Sequence, residues 1–152
     1  MHFHVSSLRT VRVLALALAG SFAAAQAGAQ SAATSELYQT FGEQAGLLAL
    51  STDLVDRAAS DRRIASFFEK TNRAALAKQL ADQFCLVLGG PCRYTGIDMK
   101  TAHHEMGISK ADFHALVEDL QDAMAARHIP FSAQNQLLAR LAPMHRDIVE
   151  TP

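Results

Sequence analysis

Two adjacent histidines, His103 and His104, stand in the stretch MKTAHHEMGI from Met99 to Ile108. Imidazole both ligates metals and moves protons near neutral pH, so this pair heads the residues able to do chemistry. A helix turns about 100° per residue, and neighbouring side chains cannot reach one point from the same rigid segment. At most one of the two faces a shared pocket. In a helix running from Asp98 to about Glu105, Met99, Ala102, His103 and Met106 share one face, while Lys100 and His104 share a more polar one. The spacing therefore turns His103 inward among soft apolar groups and His104 toward water. Physics alone leaves two roles open for an inward imidazole: a core residue bonded to a backbone carbonyl, or a ligand. His114, His128, His145 and the Glu105/Met106 pair stand at no convincing spacing with His103, such as two histidines four apart, so a multi-residue zinc or copper site is weakly supported. The ligand chemistry that remains is one histidine in an apolar helical cradle, which suits a haem iron held by a single axial residue.

The elements that must position this histidine read as helices. No alternating apolar and polar run rich in Val, Ile and Thr is present, whereas helical spacing recurs throughout, so the fold is all-α. A short element begins near Ser35, whose hydroxyl can cap it, and Gly42 breaks it. From Glu43 to Ser60, Leu47, Leu50, Leu54 and Ala58 lay an apolar stripe along a helix. Asp61 opens a short turn ending in Phe67 and Phe68. After Thr71, Leu76, Leu80, Phe84 and Leu88 follow every four residues, until Gly89, Gly90 and Pro91 stop the helix. Ser109 and Asp112 form a capping box with Asp in place of the usual Glu, opening a long helix whose core face is Phe113, Leu116, Val117, Leu120 and Met124. A last helix from Ser132 carries Leu137, Leu138, Leu141 and Ile148, and Pro143 kinks it. Residues 30–152 thus make one domain of about six helices, two of them short.

Residues 1–29 are of a different kind. Arg9 and Arg12 precede the apolar run Val13 to Ala25, and small residues stand at Ala27 and Ala29, the layout of a secretory signal peptide cleaved after one of those alanines. The run is short for a transmembrane helix, which needs about 20 apolar residues. The expected product is exported, periplasmic or secreted, and free of the membrane after cleavage. A net charge of −1 offers no basic footprint for nucleic acid. With 49% hydrophobic and 19% charged residues, the composition is that of an ordinary globular protein. The two cysteines, Cys85 and Cys92, can pair in an oxidising compartment or pack as buried thiols. No C-x-x-C-H sequence occurs, which excludes attachment of a c-type haem through that motif.

The segments LYQTFG, SFFEKTN, LGGPCRYTG, DMKTAHHEMGIS and LLARLAPMHRDIV, in this order and spacing, resemble the group I truncated haemoglobins from Glu36 to Val149. The resemblance implies a shortened globin, a two-over-two helical sandwich around haem b (iron protoporphyrin IX). On the family's pattern the proximal ligand is His103, the residue that the facing argument also selects. Phe68 matches the aromatic stacked on the haem, and Leu76, Leu80 and Phe84 match the helix covering the ligand side. Tyr94 matches a tyrosine near the haem edge, and Phe67, Met99 and Met106 complete the candidate cofactor-binding residues. Taken without His103, the leucines and phenylalanines read as plain core packing.

Many members of that family hold bound oxygen with a tyrosine on the second helix and a glutamine on the covering helix. Here those positions are Val55 and Leu80. A missing donor costs about 1 to 3 kcal/mol, roughly ten- to a hundredfold in retention. The candidate distal pocket is Val55, Leu76, Gln79 and Leu80, with Gln79 or Gln83 as replacement donors if the covering helix is rotated. Gly42-Glu43 stands where relatives commonly have two glycines, so the bend between the first two helices is expected to differ. The resemblance implies a reversible binder of O₂, CO or NO for carriage, scavenging or sensing. The alternative is a haem enzyme, an NO dioxygenase or a peroxidase-like protein, served by an unknown electron donor. Such an enzyme needs a distal group that the matching positions lack.

Overall fold

The computed structural model describes residues 36–150. The leader segment and the Ser35 cap lie outside them. A short first helix, α1 (36–40), leads into α2 (Glu43–Ala58), a 3₁₀ turn (Ala65–Phe68) and α3 (Arg73–Val87). There follow α4 (Met99–Ala102), α5 (Lys110–Ala126), α6 (Phe131–Leu141), a second 3₁₀ turn (Ala142–Met144) and α7 (His145–Ile148). Among the described residues there is no strand, and no helix is long and apolar enough to cross a membrane.

The apolar periodicities decide how these helices pack. The stripe of α2 is buried in full: Leu47, Leu50, Leu54 and Ala58 all lie in the core. It packs chiefly against α3 and also against α5, while α6 closes the core by packing on both α3 and α5. Leu47, Leu50, Phe84, Leu88, Met124 and Leu137 form the centre of the main cluster. Each such side chain contributes about 1.5 to 3 kcal/mol relative to exposure. A smaller cluster of Ala58, Ile64 and Ala115 supports Phe67, Phe68 and Leu116.

Local chemistry sets the helix ends. Asn72 caps α3 by accepting from the Ala75 N–H at 3.1 Å. At the other end Gly89, with φ 78°, donates to the Leu86 carbonyl and Gly90 donates to that of Cys85, satisfying two carbonyls that the helix leaves free. The disulfide joining Cys85 to Cys92, with Cα atoms 5.9 Å apart, ties the loop after α3 back to that helix. Ser109 and Asp112 make the full reciprocal box: Ser109 accepts from the Asp112 N–H, and the Asp112 carboxylate accepts from the Ser109 N–H at 2.9 Å.

Two expectations are revised. The helix expected from Asp98 to about Glu105 ends at Ala102, because Glu105 (φ 62°) and Gly107 (φ 67°) take left-handed conformations that no helix can pass through. Pro143 breaks the last helix rather than kinking it, and the chain crosses that point as a 3₁₀ turn before α7. At the first bend Glu43 adopts φ 57°, taking the left-handed conformation that glycine adopts at no steric cost.

The Ser109 cap and the disulfide each set a measurable part of the stability. Ser109→Ala lowers unfolding free energy by about 1 kcal/mol in urea titrations. The Ser109 hydroxyl and N–H hold the Asp112 carboxyl below its usual range, so its contribution is full above about pH 4 and is lost as pH falls through the lowered value. The gap between wild type and Asp112→Asn therefore narrows below that pH. Reduction of Cys85–Cys92 costs roughly 2 to 3 kcal/mol in the same titration, the loop-closure term for so small a ring.

Candidate functional site

A cavity of about 600 Å³ lies between α2, α3, the His103 segment, α5 and the last turns of the chain. Its volume is within the roughly 300–1,000 Å³ range of pockets that enclose small molecules and cofactors. From α2 it takes Leu54, Val55 and Ala58, and from α3 Leu76, Gln79, Leu80, Gln83 and Phe84. Phe67 and Phe68 line it from the 3₁₀ turn, and Tyr94 from the loop after α3. Met99, Ala102, His103 and Met106 line it as well, which is the face assigned to them by spacing, while His104 has a side chain 73% exposed.

His103 is held by local bonds. The Asp98 side chain caps α4 by accepting from the Thr101 N–H at 2.9 Å, and those hydrogen bonds hold the Asp98 carboxyl below its usual range. One turn up, the His103 ring places Nδ1 2.7 Å from the carbonyl oxygen of Met99. A carbonyl only accepts, so in the neutral imidazole Nδ1 carries the proton and Nε2 keeps its lone pair. The two roles open to an inward imidazole are therefore compatible here: one nitrogen bonds a backbone carbonyl, and the other remains able to ligate.

The remaining residues fall into groups. Val55 is buried, and Leu76 and Leu80 are half-buried on α3, facing the cavity while Ala81, Cys85 and Leu88 face the core. Gln79 is exposed and lines the cavity. Gln83 is buried, and its amide Nε2 lies 3.4 Å from the Met99 sulfur and 3.6 Å from that of Met144. Tyr94 donates its hydroxyl to the Ile97 carbonyl at 2.8 Å, and burial, with Asp98 nearby, raises its pKa.

Further lining residues stand on faces that spacing assigns to the core, and Met144 joins them. Phe113, Leu116 and Val117 belong to the predicted apolar face of α5 but are half-buried against the cavity. Leu141, Met144 and Ile148 line it from the chain's last turns. Periodicity marks a face as apolar without distinguishing a protein core from a cavity wall. The remaining histidines do not assemble a metal cluster: no group of three or more His, Cys, Asp or Glu with that geometry occurs among the described residues. His145 instead packs edge-on against Phe113, with ring centroids 4.8 Å apart.

Known proteins share both the sequence and the fold. Residues 36–150 match the bacterial-like globin family. A group 1 truncated hemoglobin of Mycolicibacterium paratuberculosis is 29% identical over 119 residues, 78% of this chain and 88% of that protein. One from Tetrahymena thermophila is 32% identical over 84 residues, 55% of this chain and 69% of the relative. Among solved structures, the Fe(III) truncated hemoglobin of Tetrahymena pyriformis superposes with a TM-score of 0.71 at 24% identity, covering 74% of this chain and 97% of that one. A 2/2 hemoglobin from a Synechococcus species, with covalently attached heme, gives 0.69 at 20% identity and the same coverage. The fold is thus that of the truncated hemoglobins, and because the family match spans all the described residues, the chain belongs to the bacterial-like globin family.

Proposed function

We propose that this globin is an exported haem protein that binds a diatomic gas reversibly, with His103 as the proximal ligand. The observation that carries the reading is the His103 ring, whose bond from Nδ1 to the Met99 carbonyl leaves the Nε2 lone pair available beside an apolar cavity. A hydrogen bond of this kind fixes the tautomer and raises the basicity of the other nitrogen, as it does for histidines that ligate metals. The cavity's volume, its aromatic and aliphatic walls and the His103 imidazole fit a flat macrocycle, with His114 as a second imidazole on the lining. Haem b suits a chain without a C-x-x-C-H motif. Its iron, when bound, supplies a coordination position open to O₂, CO or NO. Phe67 and Phe68 offer ring surface, and Met99 and Met106 offer soft polarisable contacts, to the same macrocycle.

The walls supplied by α2 and α3 set the ligand chemistry. Val55, Leu76 and Leu80 carry no hydrogen-bond donor, and the Gln83 amide is directed at two thioethers. Gln79, exposed on α3, is the remaining amide on that wall. These side chains exclude water without holding charge on a ligand, which favours fast O₂ release and no preference for O₂ over CO. Nothing at Val55, Leu76 or Leu80 donates or accepts a proton, so the wall favours reversible binding over NO dioxygenation or peroxidase-like turnover. Export rests on the leader pattern: Arg9 and Arg12, the apolar run, and Ala27 and Ala29.

Hemin added to the purified chain is expected to give a saturable Soret band, and His103→Ala to abolish it. Loss of the band in neither or both of His103→Ala and His104→Ala contradicts the assignment. In stopped-flow measurements on the haem-loaded protein, Leu80→Gln is expected to slow O₂ release by roughly ten- to a hundredfold, the worth of one new donor. Gln79→Leu should change it by less than about threefold, within the scatter of context effects.

A further inference from the structure

We infer that Glu150 is a positioning residue for His103, its carboxylate pinning the backbone of the turn that follows the histidine. The inference rests on the proposed role of His103 as axial ligand. Glu150 stands just beyond α7, and its Oε1 accepts from the Glu105 N–H at 2.7 Å while Oε2 accepts from the Gly107 N–H at 2.7 Å. Its own N–H donates to the Ile108 carbonyl at 3.0 Å. Side chain and backbone of one late residue therefore hold three positions of the segment between His103 and Ser109.

That segment needs an external hold. α4 is a single turn, and one turn of helix does not persist in water without tertiary support. The bond to Met99 orients the imidazole, and beyond residue 103 the segment's own backbone adds one bond, from the Met106 N–H to the His103 carbonyl at 3.2 Å. Glu105 and Gly107 both lie at positive φ, which glycine adopts freely but which Glu105, with its Cβ, keeps only when its surroundings impose it. Nothing would crowd a Cβ at Gly107, so its backbone angle, rather than lack of space, is the reason for glycine there. The conformation presents two N–H groups to one carboxylate, in the manner of an anion-binding backbone concavity. His104 adds a third approach, with Nδ1 3.7 Å from Oε1. α4 also packs on α7, which brings the carboxylate to the turn.

The test compares the full chain as wild type, Glu150→Ala and Glu150→Gln, with and without hemin. Without hemin, hydrogen exchange at the Glu105 and Gly107 amides is expected to accelerate about tenfold or more in Glu150→Ala, the size of a lost charge-assisted bond, and by less in Glu150→Gln. With hemin, transfer of haem from Glu150→Ala to an excess of apomyoglobin is expected to be about tenfold faster. The resonance Raman iron–histidine band of the ferrous protein should shift or broaden, and Glu150→Gln should recover part of both effects. Faster amide exchange in Glu150→Ala with haem loss and the iron–histidine band unchanged from wild type would reduce Glu150 to a local structural contact and overturn the inference. Unchanged amide exchange would overturn it too. A wild-type chain that takes up hemin and shows the band, while the variants behave identically to it, defeats this inference alone; one that takes up no hemin defeats the proposed function as well.

Discussion

The 2.7 Å bond between His103 Nδ1 and the Met99 carbonyl is the constraint on which the site depends. It decides at once which way the ring points, which nitrogen carries the proton and which keeps a lone pair. The bond spans one turn of a helix that is itself only one turn long. Its geometry is therefore supported from outside: by Asp98 capping the start, by α7 packing alongside, and by the Glu150 carboxylate beyond the end.

The opposite demands of core and cavity meet on α3. Ala81, Cys85 and Leu88 join it to the main core, while Leu76, Leu80 and Gln79 turn to the cavity. Phe84 lines the cavity and also sits in the main core, and Leu80 packs against that core as well, so the two faces meet at these side chains. Leu76 and Leu80 offer no donor on that wall, Gln79 is exposed, and the buried amide of Gln83 is directed at the sulfurs of Met99 and Met144. The α3 stop at Gly89 and Gly90, reinforced by the Cys85–Cys92 bridge, fixes where the loop leaves the helix for Tyr94 and α4.

What could be read from the sequence was what local rules determine. The α2 stripe, the Ser109–Asp112 box, the glycine stop after α3 and the facing of His103 all follow from spacing and backbone chemistry within a few residues. The shortness of α4 could not be read, because Glu105 takes its left-handed angle in a turn bonded to a residue 45 positions away. The burial of Gln83 was missed for a similar reason: its two sulfur neighbours come from α4 and from the turn before α7. An apolar face also carries no mark of whether it meets another helix or an open cavity. Phe113, Leu116 and Val117 could therefore be assigned to the inside of the protein but not to the cavity wall.

The most direct measurement of the central claim is chemical rescue at the ligand position. Hemin is titrated into His103→Gly with and without free imidazole, beside His104→Gly, and the Soret band and its stoichiometry are followed. Restoration of a saturable band by imidazole in His103→Gly, with His104→Gly behaving as wild type, is the result the account predicts. Wild-type uptake by His103→Gly without imidazole, or loss of the band in His104→Gly alone, would contradict it.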